Sequence, residues 1–333
     1  MATLSQLPHF GRLPIKRYRV YGVTLATDEV LAVPLPTTDL PVDVTLGVVT
    51  ELDEALDFTD QQPVYAEGKG RAGLAQFEFY RLPDRAVVRI TGAMDFHCWA
   101  DRIVCHLLDE RHRYLLEVAL FGMIMALWLE LRGVVTLHAS TVVIGGRAVA
   151  FSSGRGGGKT ATAAAAIHAG HSLLSDDLLA LARSGDEFTA QPGYPQVRMW
   201  PDQAGHFIGS EEGLEKFHPA HDKRRVDVGA GFGTFFSQPA ALGAIYLPER
   251  ADHAEAEVSI ARLPPRAAML ALIRLSFLPR EVVRFGLQPG RMEFLAALLS
   301  AIPTSRIVVP RGLDQLPRAV AAVESDLRAI YEK

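Results

Sequence analysis

A glycine-rich loop between a predicted strand and a predicted helix constrains the fold of this chain more than any other segment. Residues 153–160 read S-G-R-G-G-G-K-T, which differs from the phosphate-binding pattern G-x-x-x-x-G-K-[ST] only at Ser153. Glycine has no Cβ, so backbone N–H groups in such a loop can approach phosphate oxygens closely. The candidate phosphate-binding residues are therefore Ser153, Gly154, Arg155, Gly156, Gly157, Gly158, Lys159 and Thr160.

The last two residues of the loop carry the chemistry expected of such a site. In this pattern the lysine contacts the outer phosphates and the hydroxyl binds Mg²⁺, so Lys159 and Thr160 are candidates for these roles. Residues 161–169 are mostly alanine, a strong helix former, and Gly170 is a typical helix stop. The predicted helix would direct its positive N-terminal end at the phosphates. The alternative is a glycine- and alanine-rich loop without a ligand.

The strand before the loop is predicted to lie in an antiparallel hairpin. Residues 138–144 and 147–152 are two apolar, β-branched runs that are separated only by Gly145 and Gly146. Two residues that tolerate positive φ between two strands indicate a tight turn. Parallel-sheet nucleotide-binding proteins need a long crossover at this point instead. The sequence therefore predicts a mixed sheet.

Two adjacent carboxylates, Asp176 and Asp177, follow a short predicted strand at residues 171–175. Side chains alternate across a strand, so the two carboxylates are expected to face different partners. One could face Mg²⁺ while the other accepts the proton of an acceptor hydroxyl. Mutual repulsion is expected to raise the pKa of one of them, which suits a general base. A plain acidic turn is the alternative.

The order of these elements resembles the HPr kinase/phosphorylase family, whose catalytic domain shares its fold with ATP-dependent phosphoenolpyruvate carboxykinase. The similar parts are His138, the loop ending in Lys159 and Thr160, and G-H-S-L-L-S-D-D at residues 170–177. The resemblance covers about residues 133–182. A wider pattern is similar to the HPr-kinase-like proteins found with ribosomally made peptides, which include lasso-peptide kinases. That pattern comprises Y-R-V-Y-G at 18–22, L-R-G at 131–133, Y-P at 194–195 and R-M-W-P at 198–201.

The resemblance implies a role for each matching residue. It implies ATP and Mg²⁺ as cofactors, Asp176 as the acid–base residue, Asp177 as its metal-side partner, and His138 as support for the base. The family's second signature, E-I-R-G, has its nearest counterpart in Gln196 and Arg198 with their neighbours. A neutral Gln196 in place of a glutamate implies a kinase with little phosphorylase activity. Arg155 differs from the family and is a further candidate phosphate contact.

A basic cluster, H-D-K-R-R, lies at residues 221–225 within a glycine-rich region. Its cations could clamp a phosphate or an acidic substrate, or they could belong to a solvated turn. Residues 201–240 as a whole are predicted to form a mobile loop region near the site. The further candidate contacts for substrate or phosphate are Gln196, Arg198, Lys223, Arg224 and Arg225.

Charge and composition exclude several classes of partner. A net charge of −4 argues against nucleic acid, because nucleic-acid-binding proteins usually present a basic face. Two cysteines, Cys98 and Cys105, are too few for a zinc site and indicate reduced thiols. The longest apolar stretch, residues 114–131, contains Glu117 and Glu130 and is expected to be a buried helix. We expect a cytoplasmic protein without a signal peptide that binds neither membrane nor nucleic acid.

The chain is predicted to contain two domains with a boundary at Gly133. Residues 1–132 are expected to form a smaller β-rich α+β domain closed by helices. Residues 133–333 are expected to form an α/β domain with a mixed sheet and a P-loop of the HPr-kinase/phosphoenolpyruvate-carboxykinase type. Predicted strands are 17–26, 42–50, 76–81, 86–91, 242–247 and 305–309. Predicted helices are 101–132 in two pieces, 265–277, 291–301 and 313–331.

Three functions follow from these patterns. The first is an ATP- and Mg²⁺-dependent kinase that phosphorylates a serine or another hydroxyl on a peptide or small protein. The second is a serine kinase directed at HPr. The third is a nucleotide-gated peptide-binding protein without transfer activity. The resemblance also implies a homo-oligomer, because the family tends to form ring-like assemblies.

Overall fold

The computed structural model describes residues 14–51, 54–68, 77–154, 156–229, 231–251 and 257–332. These residues form two compact units. The first comprises the described residues up to Arg132 together with Arg280–Gln288, and the second comprises Gly133–Pro279 and the residues from Pro289 onward. The sequence analysis assigned all of 133–333 to one domain, whereas here a short segment returns to the first unit.

Two hydrogen bonds hold this returning segment within the first unit. The Arg81 guanidinium donates to the Phe285 carbonyl oxygen at 2.9 Å, and Arg280 donates to the Tyr65 hydroxyl at 3.1 Å. Phe285 is 1% exposed, so the segment also adds to the buried apolar volume of the unit. Such contacts join residues about 200 positions apart, and local sequence patterns carry no sign of them.

The first unit is built on one mixed sheet in the order β1-β2-β3-β8-β7-β6-β5-β4. Strand β3 pairs in parallel with β2 and β8, and the other neighbours are antiparallel. The strands are β1 (Lys16–Val20), β2 (Val23–Thr27), β3 (Val44–Val49), β4 (Tyr65–Ala66), β5 (Phe77–Arg81), β6 (Ala86–Ile90), β7 (Met94–Cys98) and β8 (Arg102–Leu107).

Two predictions for the first unit are wrong. The predicted strand 17–26 is a hairpin, because Tyr21 and Gly22 adopt φ values of 52° and 82° and turn the chain between β1 and β2. The predicted helix does not begin at residue 101, because Arg102–Leu107 is strand β8 in the middle of the sheet. Five of its six residues are buried, so its sequence shows a continuous apolar run without the alternation of a half-exposed strand.

The predicted buried helix lies after β8. Single 3₁₀ turns occur at Glu54–Leu56 and Glu110–His112. Helices α1 (Leu115–Ala119) and α2 (Met125–Leu131) then follow one another through a wider turn at Leu120–Ile124. Glu130 and Trp128 are 4% and 1% exposed, so this helix is buried as expected. Among the described helices, none combines the length and the apolar character needed to cross a membrane.

The second unit contains a nine-stranded mixed sheet and a separate small sheet in the order β14-β16-β15. In the large sheet, β9, β10, β18, β13 and β12 pair in a closed ring. The strands are β9 (Val135–Ile144), β10 (Arg147–Ser152), β11 (Ser172–Ser175), β12 (Leu178–Ser184), β13 (Glu187–Ala190), β14 (Gln196–Met199), β15 (Lys216–His218), β16 (His221–Asp227), β17 (Thr234–Phe235), β18 (Ala240–Arg250), β19 (Ser259–Arg262) and β20 (Thr304–Val309).

The hairpin predicted before the loop is confirmed. Strands β9 and β10 are antiparallel, and Ile144 pairs with Arg147 across a two-residue turn. Gly145 and Gly146 have φ values of 56° and 77°, as a type I′ turn requires. Strand β10 also pairs in parallel with β18, so the sheet is mixed as the sequence predicted.

The helices of the second unit flank this sheet. They are α3 (Lys159–His168), α4 (Pro201–Ile208), α5 (Pro265–Arg274), α7 (Gln288–Ala301) and α8 (Leu316–Tyr331), with another 3₁₀ turn at Leu313–Gln315, while α6 (Pro279–Arg284) belongs largely to the returning segment. Helix α3 is buried from Lys159 to Ile167 and shares an apolar core with strands of the sheet and with α8. Its alanines allow this close approach because each carries only a methyl group.

The prediction of a loop region at residues 201–240 is wrong. Within its described part, α4, β15, β16 and β17 contain about half of the residues. Gly209 ends α4 with a φ of 87°, which is a common use of glycine at a helix C-terminus. Gly209 therefore marks the end of a short element, whereas Gly205 lies within α4. The basic cluster lies on strand β16, so it is not the solvated turn considered above.

Candidate active site

The loop after β10 has the geometry of a phosphate cradle. Strand β10 ends at Ser152, and α3 begins at Lys159 directly after Gly158. Gly156 and Gly158 have φ values of 81° and 95°, which disfavour any other residue. A Cβ on Gly157 would lie 2.7 Å from both Cβ and Oγ of Ser153. The loop therefore needs these glycines to keep its conformation, and Arg155 lies outside the described residues.

Lys159 and Thr160 lie in the first turn of α3 and are 8% and 6% exposed. The Lys159 Nζ lies 2.8 Å from Oδ1 of Asp177. The Thr160 hydroxyl lies 3.3 Å from Oδ1 of Asp176 and 3.4 Å from Oγ of Ser140. The structure thus brings the loop and the aspartate pair together, although they are separated by a complete helix in the sequence.

Asp176 and Asp177 lie between strands β11 and β12, both of which pair with β9. Strands β11 and β12 both run antiparallel to β9, with Ser175 opposite Thr141 and Leu178 opposite His138. Asp177 between them has a φ of 65°, a left-handed conformation that is uncommon outside glycine. The irregularity turns both carboxylates toward the loop while the flanking strands stay paired.

The two carboxylates have different partners, but neither residue lies in a strand, so strand alternation is not the cause. Asp176 accepts hydrogen bonds from the Ser140 hydroxyl at 2.5 Å and from the Arg198 backbone N–H at 3.1 Å. Asp177 forms ion pairs with Lys159 and with the Arg198 guanidinium, the latter at 3.0 Å. Asp176 is therefore on the side of Thr160, and Asp177 is on the side of Lys159.

The electrostatics of Asp177 differ from the expectation. Burial alone would raise its pKa, but the positive charges of Lys159 and Arg198 act more strongly and hold the pKa well below its usual range. The predicted effect, a pKa raised by the neighbouring carboxylate, does not dominate at this residue. Asp177 is ionised at neutral pH and can accept a hydrogen bond or a proton.

His138 lies on β9 beside Asp177. Its Nδ1 lies 3.1 Å from the Asp177 backbone oxygen, and since a carbonyl oxygen only accepts, Nδ1–H is the donor. Burial and then the charge of Lys159 lower the pKa of His138, so the ring is neutral at pH 7 and Nε2 is an acceptor. The contact therefore fixes the backbone of Asp177 rather than a carboxylate.

Strand β14 supplies Gln196 and Arg198, and only Arg198 contacts the aspartates. The Arg198 guanidinium also donates to the Tyr194 hydroxyl at 3.1 Å and lies 3.7 Å above the ring of Phe217. The Gln196 amide donates to Oδ1 of Asp227 at 2.9 Å. Tyr194 and Phe217 hold Arg198 in place, and sequence reasoning did not assign them a role, because a single aromatic residue carries no periodic signal.

Of the basic cluster, Lys223 lines the same cavity as the glycine loop. Its Nζ lies 5.8 Å from the centre of the Trp200 ring, and burial lowers its pKa. Arg224 forms an ion pair with Glu211 at 2.8 Å, and Arg225 lies opposite Arg198 in the register of β16 and β14. The cluster is thus divided by strand alternation, and Lys223 is the member that lines the cavity.

Two neighbouring cavities adjoin the loop. One of about 70 Å³ is lined by the loop together with Trp200, Gln203, Lys223 and Arg250. The other, of about 260 Å³, shares Gly157, Gly158 and Arg250 and extends to Pro310 and Leu316. Arg250 was missed by sequence reasoning. It ends β18, which pairs in parallel with β10, and that pairing brings it to the loop.

The residues present fit a nucleotide phosphate with Mg²⁺. The Ser153 hydroxyl, at the start of the glycine loop, is buried without a partner among the described residues. Thr160 and Asp176 offer two oxygen ligands of the type that Mg²⁺ prefers. Among the described residues, no group of three histidine, cysteine or acidic side chains could hold a metal alone. A metal here would therefore need phosphate oxygens to complete its ligands.

Comparisons with known proteins find matches among solved structures only. No protein-family model matches this chain, and no curated protein matches it. A solved structure, the HPr(Ser) kinase/phosphatase from Coxiella burnetii, is similar at 13% identity and a TM-score of 0.34, covering 60% of this chain and 99% of that one. Function is therefore inferred below from the residues of the site.

Proposed function

We propose that this protein is an ATP- and Mg²⁺-dependent kinase that phosphorylates a serine or another hydroxyl on a peptide or small protein. One observation carries the proposal: the loop residues and the aspartates meet in pairs, Lys159 with Asp177 at 2.8 Å and Thr160 with Asp176 at 3.3 Å. Phosphoryl transfer requires a phosphate cradle, metal ligands and a proton acceptor within one site. These four side chains provide the three functions.

The loop and its cations would hold the phosphates. Backbone N–H groups of Gly156 and residues 158–160 and the Lys159 ammonium would bind phosphate oxygens, whereas the Gly157 N–H donates to the Gly154 carbonyl oxygen at 3.0 Å. Lys223 and Arg250 line the same cavity. Thr160 and Asp176 would hold Mg²⁺. When bound, ATP supplies the phosphoryl group and Mg²⁺ neutralises charge on the phosphate oxygens. Arg155 remains a candidate phosphate contact from its place in the loop.

The contacts favour the opposite assignment of the two aspartates from the one expected from sequence. Asp176 is the carboxylate beside the Thr160 hydroxyl, so we assign it to the metal side. Asp177 is the carboxylate beside Lys159, and we assign it as the base that accepts the proton of the acceptor hydroxyl. If Lys159 turns toward a phosphate, Asp177 loses a neighbouring positive charge, and its pKa rises toward the range useful for a base.

His138 acts in this proposal as a positioning residue for Asp177. Its Nδ1–H bond to the Asp177 carbonyl holds the left-handed backbone that turns the carboxylate toward Lys159. Arg198 also positions the two aspartates. Its backbone N–H donates to the Asp176 carboxylate, and its guanidinium donates to the Asp177 carboxylate. Gln196, whose amide is bound to Asp227, offers no charge to the metal.

The second candidate is a nucleotide-gated peptide-binding protein without transfer activity. The observation that favours it is the pKa of Asp177, which Lys159 and Arg198 hold low, because a strongly stabilised carboxylate is a weak base. Both candidates predict nucleotide binding at the loop, and only the kinase predicts a covalent product.

The test is incubation with ATP, Mg²⁺ and a library of short peptides containing serine or threonine, followed by mass spectrometry. The matched controls are the variants Lys159→Ala and Asp177→Asn, with folding checked by thermal denaturation. We expect phosphorylated peptides with the unmodified enzyme and none with either variant. Nucleotide binding without any phosphorylated product would support the second candidate, and the absence of nucleotide binding would contradict both.

A further inference from the structure

A separate cavity lies in the first unit, in a part of the chain to which the sequence analysis assigned no chemistry. It has a volume of about 220 Å³, and its apolar wall includes Leu82, Trp128, Leu131 and Phe285. Pockets for small molecules usually measure about 300–1,000 Å³, so this cavity suits a single large side chain better than a complete small molecule.

Three guanidinium groups and one carboxylate lie among the described lining residues of this cavity: Arg81, Arg85, Arg132 and Asp84. The net charge of the lining is therefore +2, although the whole chain carries −4. A cationic cavity on a net acidic protein is complementary to acidic groups, and it attracts them from a distance at low ionic strength.

Arg85 and Arg132 are held by neighbouring groups, and Arg85 also forms an ion pair with Asp84 at 3.2 Å. Arg85 has a side chain that is 9% exposed and lies 5.0 Å from the Trp99 ring, and its Nε is buried with no partner among the described residues. Arg132 lies 4.6 Å from the Trp128 ring and donates to the Ala100 carbonyl oxygen at 2.9 Å. A guanidinium has five N–H donors, so these contacts leave donors for a ligand carboxylate.

The two tryptophans add aromatic carbon to the lining and no available hydrogen-bond donor. The Trp128 indole N–H donates to the Trp99 carbonyl oxygen at 2.8 Å, and the Trp99 indole N–H donates to Asp84 at 2.9 Å. Their polar groups are thus used within the protein. An occupant of the cavity would contact aromatic and aliphatic carbon in the interior and guanidinium groups at the opening.

We propose that this cavity binds a peptide segment in which one large apolar side chain lies between two acidic residues. The apolar side chain fills the cavity, and the two carboxylates neutralise its excess charge of +2. A chain-terminal carboxylate would supply only one of these charges, so an internal acidic segment is the better match. The site lies in a different unit from the glycine loop and does not depend on phosphoryl transfer.

The experiment is a fluorescence titration without nucleotide. The chain has three tryptophans, so the variant Trp200→Phe leaves Trp99 and Trp128 at the cavity as reporters. The probe is N-acetyl-Gly-Glu-Leu-Glu-Gly-amide. Its matched peptides carry glutamine for both glutamates, glycine for leucine, or a free terminal carboxylate as the single acid. We expect the probe to bind, its affinity to fall with added salt, and the three matched peptides to bind at least about tenfold more weakly.

Two variants add a test of position. Arg132→Gln should weaken the probe by about three- to fivefold, the usual effect of one exposed ion pair, while Arg111→Gln should change nothing. Arg111 is a suitable control because it belongs to the same unit and its side chain is 87% exposed, away from the cavity. Equal binding of the glutamine or the terminal-carboxylate peptide, equal binding by Arg132→Gln, or no binding of the probe would each overturn the proposal.

Discussion

A methyl group added at Gly157 tests whether the loop conformation is needed for nucleotide binding. In Gly157→Ala the new Cβ would lie 2.7 Å from Cβ and Oγ of Ser153 and 3.1 Å from the Gly154 carbonyl oxygen. Overpacking of this kind costs about 1–3 kcal/mol. If the loop relieves the contact by leaving its conformation, ATP must restore that conformation, and its affinity falls by about 5- to 150-fold.

The side chain of Ser153 provides an internal control for this prediction. In the double variant Ser153→Gly, Gly157→Ala, both atoms at 2.7 Å are gone and only the Gly154 oxygen at 3.1 Å remains. We therefore expect the double variant to recover most of the lost ATP affinity, which is the coupling expected of two residues in contact. Gly154→Ala is the matched control for thermal stability, because its Cβ would meet no heavy atom within 4 Å.

The assay is isothermal titration calorimetry with ATP and Mg²⁺, combined with thermal denaturation of each variant. Two results would refute the reasoning. One is Gly157→Ala binding ATP within about twofold of the unmodified protein. The other is a double variant that binds no better than Gly157→Ala, since the loss could then not come from Ser153.

Four further predictions concern the candidate active site and one buried histidine. Lys159→Ala should abolish phosphorylation and leave the thermal midpoint close to that of the unmodified protein, and unchanged transfer would contradict the loop assignment. Asp177→Asn should lower the rate of phosphoryl transfer by about 10²–10⁴-fold at saturating Mg²⁺. Asp176→Asn should instead raise the Mg²⁺ concentration needed for half-maximal transfer. If Mg²⁺ titrations show the reverse pattern, the two aspartates have the roles expected from sequence. Burial, with the charge of Arg85, lowers the pKa of the His97 imidazole to about 3 from 6.5. Between these two pH values the unfolded chain therefore binds a proton at His97 that the folded chain does not bind. The free energy of unfolding should fall by about 1.4 kcal/mol for each pH unit of acidification in this range. His97→Leu should remove that dependence, as measured by urea unfolding at about pH 6 and pH 5. Because Gln196 is neutral, we expect little dephosphorylation driven by inorganic phosphate. Release of pyrophosphate from phosphorylated peptide as fast as the forward phosphorylation would contradict this.

The elements that sequence predicted well depend on local interactions. The β9–β10 turn follows from two adjacent glycines, and α3 follows from an alanine run bounded by glycines. In each case the residues that decide the structure lie within a few positions of one another, so a short window contains the information.

The features that sequence missed depend on pairing between distant segments. Strand β8 resembles a helix in sequence because side chains on both of its faces are buried, which removes the alternation of a half-exposed strand. Arg250 reaches the loop only through the pairing of β18 with β10. The contacts of Asp177 with Lys159 and of Asp176 with Thr160 depend on how the start of α3 is placed relative to the turn between β11 and β12. No periodicity within one segment specifies these relations.

The returning segment Arg280–Gln288 has a consequence for any attempt to dissect the protein. The chain passes between the two units three times, at 132–133, 279–280 and 288–289, so a cut at Gly133 does not separate them. A fragment that begins at Gly133 would carry Phe285 without the surroundings that leave it 1% exposed. Independent expression of the second unit would therefore require replacing this segment with a short polar linker, and the first unit would need the segment supplied as a peptide.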